Sequence, residues 1–213
     1  MKHVSNSFDV IVVGGGHAGI EAALAVSRLD KTCCVLTMDK LAVGRMSCNP
    51  AVGGQAKGQM VREIDALGGI MGLAADRSGL QFKILNRSKG KAVWSPRAQV
   101  DKRTYEQYVN AYLYSSNRIK VVVGEAVSLQ IKNNSVEGVL LRGGGKIFAR
   151  SVVLTCGTFL NGLVHVGERK IVAGRMGERG ARGITESLVS LGFSSGRLKT
   201  GTPPRLVAQS INW

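Results

Sequence analysis

The chain has 213 residues, 44% of them hydrophobic, which is enough for one large domain or two small ones with a real core. Lys and Arg number 29 against 14 Asp and Glu, a formal charge of +15 that is unusual for a protein handling only small neutral metabolites. That excess reads either as a docking surface for a polyanion such as nucleic acid, or as a solvated basic surface or one face of a larger assembly.

The opening apolar run, residues 9–13, reads as a buried strand. It leads into Gly14-Gly15-Gly16-His17-Ala18-Gly19 and then into an Ala-rich helix over residues 17–29. This strand–G-x-G-x-x-G–helix context points to dinucleotide binding, the alternative being a purely structural glycine turn. Gly14 allows the tight turn, Gly16 lets a pyrophosphate approach the backbone, and Gly19 lets the helix pack close to the sheet. The diphosphate would rest on the helix N-terminus, where free N–H groups and the helix dipole favour negative charge. Residues 30–31 break the pattern and residues 33–37 form a second strand, parallel to the first. Residues 38–58 read as a long irregular segment, of a length that is usually functional.

Residues 102–116 have helical spacing (Tyr105, Tyr108, Val109, Tyr112, Leu113), and residues 119–123 form a strand. Three short segments, 126–131, 136–141 and 146–149, alternate around Asn133-Asn134 and Gly143-Gly144-Gly145 and read as a small β-meander. A separate buried strand is expected at 151–155, ending at Cys156-Gly157, and a short helix at 184–191. The order predicts an α/β fold: a Rossmann-like FAD-binding domain with a parallel sheet, crossover helices and a small antiparallel β-meander. It is similar to the order in the glutathione-reductase-like flavoproteins, a fold-level analogy.

The four cysteines, Cys33, Cys34, Cys48 and Cys156, lack C-x-x-C or Cys/His spacing, so no metal site and no disulfide scaffold are expected. Cys33 and Cys34 should point to opposite faces of their strand as packing residues. A reducing cytoplasm is the default compartment. The polar, short N-terminus gives no signal peptide, and no apolar run approaches bilayer length, so no membrane association is expected.

Six blocks go beyond a generic flavoprotein: the glycine turn at 14–19, Arg-Met-Ser-Cys-Asn-Pro-Ala-Val-Gly-Gly at 45–54, Glu-Ile-Asp-Ala-Leu-Gly-Gly at 63–69, Gln-Phe-Lys-Ile-Leu-Asn-Arg-Ser-Lys-Gly at 81–90, Leu-Thr-Cys-Gly-Thr-Phe-Leu-Asn-Gly at 154–162, and Leu-Lys-Thr-Gly-Thr-Pro-Pro-Arg at 198–205. Together they resemble the MnmG/GidA family of tRNA uridine 5-carboxymethylaminomethyl modification enzymes, over about residues 8–205. The resemblance implies an FAD enzyme, homodimeric at full length, that works with the GTPase MnmE. The pair modifies C5 of the wobble uridine of certain tRNAs, using methylenetetrahydrofolate and NADH. Family members look longer, so residues 1–205 read as the N-terminal portion of the FAD-binding domain and 206–213 as the start of a following segment. The NADH site is then expected beyond this chain. Two other readings are a generic FAD oxidoreductase acting on a small molecule, and a non-catalytic fragment that binds nucleic acid or a partner.

Carried onto this sequence, the resemblance assigns Gly14, Gly15, Gly16, His17, Ala18 and Gly19 to the FAD pyrophosphate. Val127 falls at a position whose backbone contacts the adenine end. Gly157 matches the superfamily's second flavin glycine. Ala181 occupies a place where the family commonly has a serine near FAD, so a hydroxyl contact is lost or moved. His17 either contacts phosphate or caps the turn. Thr37 stands where many FAD domains place a ribose-binding acid, with Asp39 two residues on. Cys48, in a Gly/Pro-rich loop, is the catalytic candidate: a thiolate adding to C6 of uracil makes C5 nucleophilic. Arg45, Lys57 or a helix N-terminus would lower its pKa; the alternative is an incidental loop thiol. The basic run Lys83, Arg87, Lys89, Lys91, Arg97, Lys102 and Arg103, with Trp94 among them, suits phosphate contacts and base stacking, or is a solvated face. A second cluster (Arg169, Lys170, Arg175, Arg179, Arg182) is diluted by Glu168 and Glu178.

Overall fold

The computed structural model describes residues 7–46, 50–175, 177–199, 201 and 206–213. In chain order the elements are β1 (Ser7–Val13), α1 (His17–Arg28), β2 (Cys33–Thr37), β3 (Ala51–Gly53), α2 (Lys57–Ala66), α3 (Met71–Ser78), β4 (Gly79–Leu85), β5 (Ser95–Val100), α4 (Lys102–Ser115), β6 (Ile119–Val123), β7 (Ala126–Lys132), β8 (Ser135–Leu141), β9 (Lys146–Leu154), β10 (Leu163–Val166), β11 (Arg169–Val172) and α5 (Ile184–Ser190).

Strands β6, β2, β1 and β9 run parallel in that order, and β8 and β7 continue the ladder antiparallel. Because side chains alternate along a strand, the apolar runs of β1 and β2 feed two cores. Val12, Cys33 and Val35 face the helices. Ile11, Val13, Cys34 and Leu36 face the meander. The two adjacent cysteines therefore do pack on opposite sides, and burial pushes each thiol up to about 12. On the helical side, α1 contributes Ile20, Ala23 and Leu24, and α4 contributes Tyr105, Val109 and Leu113 at four-residue spacing. Each large aliphatic side chain removed from water there contributes about 1.5–3 kcal/mol. Tyr112 of the expected apolar spacing is instead half exposed. On the other side Ala126, Val139, Ile147, Ala149 and Ile184 close the core.

The structure corrects the sequence reading at three places. Segments 146–149 and 151–155 are one strand, β9. Its first residues pair with β8, and Phe148 to Leu154 pair with β1, so it carries the chain from the meander into the parallel sheet. Arg150 did not break it because it occupies an outward position beside buried Ala149. The irregular segment 38–58 contains a 3₁₀ turn at Lys40–Ala42, the short β3 and the start of α2. Strand β3 belongs to an unanticipated antiparallel sheet, β3-β5-β4, backed by α2 and α3. The hairpin β10–β11 was not anticipated either. Among the described residues, no helix is long and apolar enough to cross a membrane, and no group of three or more His, Cys, Asp or Glu could hold a metal ion.

Candidate functional site

The glycine turn emerges from the carboxyl end of β1, between β2 and β9. The Gly14 N–H donates to Leu36 O at 2.8 Å, and the Thr155 N–H donates to Val13 O at 2.9 Å. Thr155 Oγ1 donates across the turn to the Val13 carbonyl at 2.9 Å and the Gly14 carbonyl at 3.1 Å. Gly14 has φ +114°, and a Cβ there would strike the Thr155 carbonyl. A Cβ on Gly19 would strike the Gly14 carbonyl, which is the close helix approach expected of it. Gly15 has Val43 and Thr37 beside it. Gly16 differs: a Cβ there meets nothing within 4 Å.

Ile20 N–H is the first of α1 to bond back, to Gly16 O at 3.0 Å. Among the described residues, the N–H groups of Gly15, Gly16, His17, Ala18 and Gly19 donate to nothing. A run of unused amides at a helix start, beside space that no side chain fills, fits a diphosphate.

His17 does not cap this turn; Gly16 holds the cap position, with no side-chain hydrogen bond. The imidazole lies against Tyr105 of α4, ring centroids 5.5 Å apart, and its buried Nε2 has no partner among the described residues. Burial pushes the imidazole below its ordinary value of 6.5, the Arg175 charge pushes the same way, and Glu106 opposes. Arg175 itself stacks on Phe159 at 4.9 Å.

Gly157 lies two residues beyond Thr155, in a left-handed conformation (φ +57°), and also has open space where a Cβ would stand. The backbone of Ala181 is committed: its N–H donates to Phe159 O and its carbonyl accepts from Asn161 N–H, both at 2.9 Å. The structure thus brings Ala181 alongside the segment that follows Gly157. Val127 lies in β7 near its start. Gly124 N–H, just before β7, donates to Thr37 O at 2.8 Å, bringing that start beside the end of β2. Between them, Glu125 is gripped by Arg142 at 2.6 and 2.8 Å and by the Arg182 N–H at 3.1 Å. The Arg142 guanidinium holds the Glu125 carboxyl below its usual range.

Neither candidate near the ribose position is uncommitted. Thr37 Oγ1 donates to Asp39 O at 3.0 Å, and Asp39 caps the Lys40–Ala42 turn through Leu41 N–H at 2.8 Å. Asp39 also pairs with Arg45 at 3.4 Å, and Arg45 reaches Glu178 at 3.1 Å. Cys48 lies outside the described residues. Cys156 is half-buried, its thiol pushed up by burial, with Sγ 3.8 Å from Val13 O. In the basic run, Lys83 and Arg97 are cross-strand partners on β4 and β5. Trp94 donates its indole N–H to Arg87 O at 3.2 Å and carries the Arg87 guanidinium 5.9 Å over its ring.

The family model described as Glucose inhibited division protein A matches residues 9–213. The chain belongs to the GidA family. It is 49% identical over 207 residues to the tRNA uridine 5-carboxymethylaminomethyl modification enzyme MnmG of Chlorobium phaeobacteroides, and 52% identical to that of Chlorobaculum tepidum. Each match covers 97% of this chain and 33% of the relative, so the chain spans about a third of the length of these curated relatives. Aquifex aeolicus GidA in its form II crystal superposes with TM-score 0.84 at 46% identity, covering 90% of this chain and 32% of that one. A GidA-related protein from Thermus thermophilus shares the fold at TM-score 0.58 and 19% identity, covering 88% of this chain and 69% of that one.

Within this GidA-family site, Thr155, Glu106 and the Arg45–Glu178 pair escaped the sequence reading. Only Thr155 left a local signal, a hydroxyl at the end of a buried strand just before Cys156-Gly157.

Proposed function

We propose that this chain supplies the FAD-binding part of an enzyme that installs a carboxymethylaminomethyl group at C5 of the tRNA wobble uridine. The observation that carries the reading is the glycine turn of a GidA-family chain, with five unused amides and open space where a Gly16 Cβ would stand. Gly14 to Gly19 hold the FAD diphosphate, Gly157 lets the chain pass close to the flavin, the Val127 backbone meets the adenine end, and Ala181 stands near FAD without the hydroxyl the family commonly has there. When bound, FAD supplies the redox chemistry of the reaction. Cys48 adds its thiolate to C6 of the uracil, pushing the C5–C6 electrons toward C5. Once C5 has bonded to the one-carbon unit, loss of the C5 proton expels the thiolate. Methylenetetrahydrofolate as one-carbon donor, NADH as reductant, the GTPase MnmE as partner, a homodimer and a cytoplasmic location complete the proposal; they rest on the sequence resemblance, and the names of the relatives support the tRNA uridine modification alone.

The test uses a polypeptide of the relatives' length carrying these residues. It is expected to be yellow or to take up added FAD, and to modify tRNA as read by nucleoside mass spectrometry. Cys48→Ser is expected to keep FAD and lose modification. A colourless protein that refuses FAD sinks the flavin reading, and an active Cys48→Ser enzyme sinks the nucleophile.

A further inference from the structure

Residues 43–46, which lead toward Cys48, are held by a different neighbour at every position. The Val43 carbonyl accepts from Asn110 Nδ2 at 3.0 Å. Gly44 N–H donates to Gly15 O, inside the glycine turn, at 2.9 Å. The Arg45 guanidinium bridges Asp39 and Glu178. Met46 N–H donates to Glu106 Oε1 at 2.9 Å. Val43 and Met46 are buried; Gly44 has φ +72°, a conformation that disfavours a side chain, and the Val109 side chain lies 3.2 Å from where its Cβ would be, so the segment runs close against α4.

Glu106 and Asn110 are four residues apart on α4, beside its apolar stripe rather than in it. That stripe, Tyr105, Val109 and Leu113, already docks the helix. Asn110 spends its amide on two carbonyls, Val43 O and, at 2.8 Å, Glu106 O one turn back. Glu106 directs a carboxylate oxygen at a buried backbone N–H, a charge-assisted bond, while its nearest cation, Lys102, stands at 4.0 Å.

We propose that Glu106 and Asn110 are positioning residues for Cys48: they lock residues 43–46, which precede it in the chain, onto the carbonyl side of the turn proposed to take the flavin diphosphate. The turn then offers its amides to the cofactor and its Gly15 carbonyl to Gly44, so one piece of backbone carries both contacts. The purpose of this lock rests on the proposed role of Cys48; the lock itself does not.

The test follows Cys48 alkylation by iodoacetamide in the purified protein, each cysteine read by peptide mass spectrometry. Glu106→Ala is expected to shift the rate at Cys48 at least fivefold and leave Cys156 unchanged. Glu106→Gln keeps an acceptor oxygen and is expected to stay within twofold of the parent. Asn110→Asp, which replaces the donor by an acceptor facing two carbonyls, is expected to behave like Glu106→Ala. Circular-dichroism melts identify any variant that fails to fold, and the Gln variant keeps the test open if the Ala variant does fail. A parental rate in folded Glu106→Ala, or a Gln variant as perturbed as the Ala one, overturns the lock. An active Cys48→Ser enzyme overturns only the catalytic reading, because the alkylation series does not depend on turnover.

Discussion

At the scale of single residues, the glycine turn separates two effects that usually travel together. Gly16 has an extended backbone (φ −77°, ψ −173°) that alanine adopts freely, and open space around its missing Cβ. Gly16→Ala is therefore expected to stabilise the fold by about 0.4–1 kcal/mol through the unfolded chain. The same methyl stands where the proposed FAD diphosphate would approach, so FAD affinity is expected to fall at least tenfold, about 1.4 kcal/mol. Gly19→Ala drives a methyl into the Gly14 carbonyl and is expected to cost about 1–3 kcal/mol of stability or more. Urea unfolding and flavin-fluorescence titration read the two effects; a Gly16→Ala protein that binds FAD like the parent removes the diphosphate from this turn. His17 adds a pH dependence. The unfolded chain binds a proton near 6.5 and the folded imidazole binds it only at lower pH. Stability is thus intact above 6.5 and declines as pH falls below it. His17→Gln is expected to flatten the melting temperature between pH 5 and 6.5, and a variant that tracks the parent refutes the assignment. The turn at Gly14 and the close helix approach at Gly19 were legible because they follow from spacing along one turn. The surroundings of His17 were not, because Tyr105 and Arg175 meet it only through the fold.

At the scale of elements, the legible parts were those with a strong period. Helices α1, α4 and α5 and strands β1, β2 and β6 were expected within about two residues, and α1, α4, β1 and β2 bury regular apolar positions. The sheet β3-β5-β4 was hidden for physical reasons. Strand β3 has three residues, β4 is exposed along most of its length, and α2 buries only Gly58, so none of them carries an apolar stripe. Their stability comes from non-local partners, and α3 shows how. It has no side-chain cap of its own. Instead Glu21 of α1 accepts from the Ile70 N–H at 2.9 Å and the Met71 N–H at 2.7 Å, supplying the carboxylate that a helix start favours. Glu21→Ala leaves these amides without that acceptor, one of them on nearly inaccessible Ile70, and is expected to cost about 1–2 kcal/mol. Glu21→Gln should recover part of that. Amide hydrogen exchange at Ile70 and Met71 localises the effect: faster exchange there, with α4 unchanged, is the expected pattern, and uniform change across both helices would deny the cap.

At the scale of the whole molecule, the question is what the charge of +15 is for. Among the described residues, ion pairs within 4.0 Å engage Arg45, Lys102, Arg118, Lys132 and Arg142. Of the basic run, Lys83, Arg87, Lys89, Lys91, Arg97 and Arg103 have no carboxylate within that distance among the described residues. Folding does not neutralise them internally. It gathers them instead: Lys83 and Arg97 become cross-strand neighbours, and 3₁₀ turns at Arg87–Lys89 and Lys91–Val93 carry most of the rest between β4 and β5. Like charges directly opposite on a sheet are unfavourable in the free protein, and a polyanion relieves that repulsion. This argues for phosphate contact over a merely solvated face, and salt dependence decides it. Each phosphate contact releases counterions, so the logarithm of the tRNA affinity should fall linearly with the logarithm of salt concentration. Replacing Lys83 and Arg97 together by Gln is expected to reduce that slope by about 2, one unit per lost contact, with FAD affinity unchanged. An unchanged slope would return the run to the solvent and leave the net charge to some other surface.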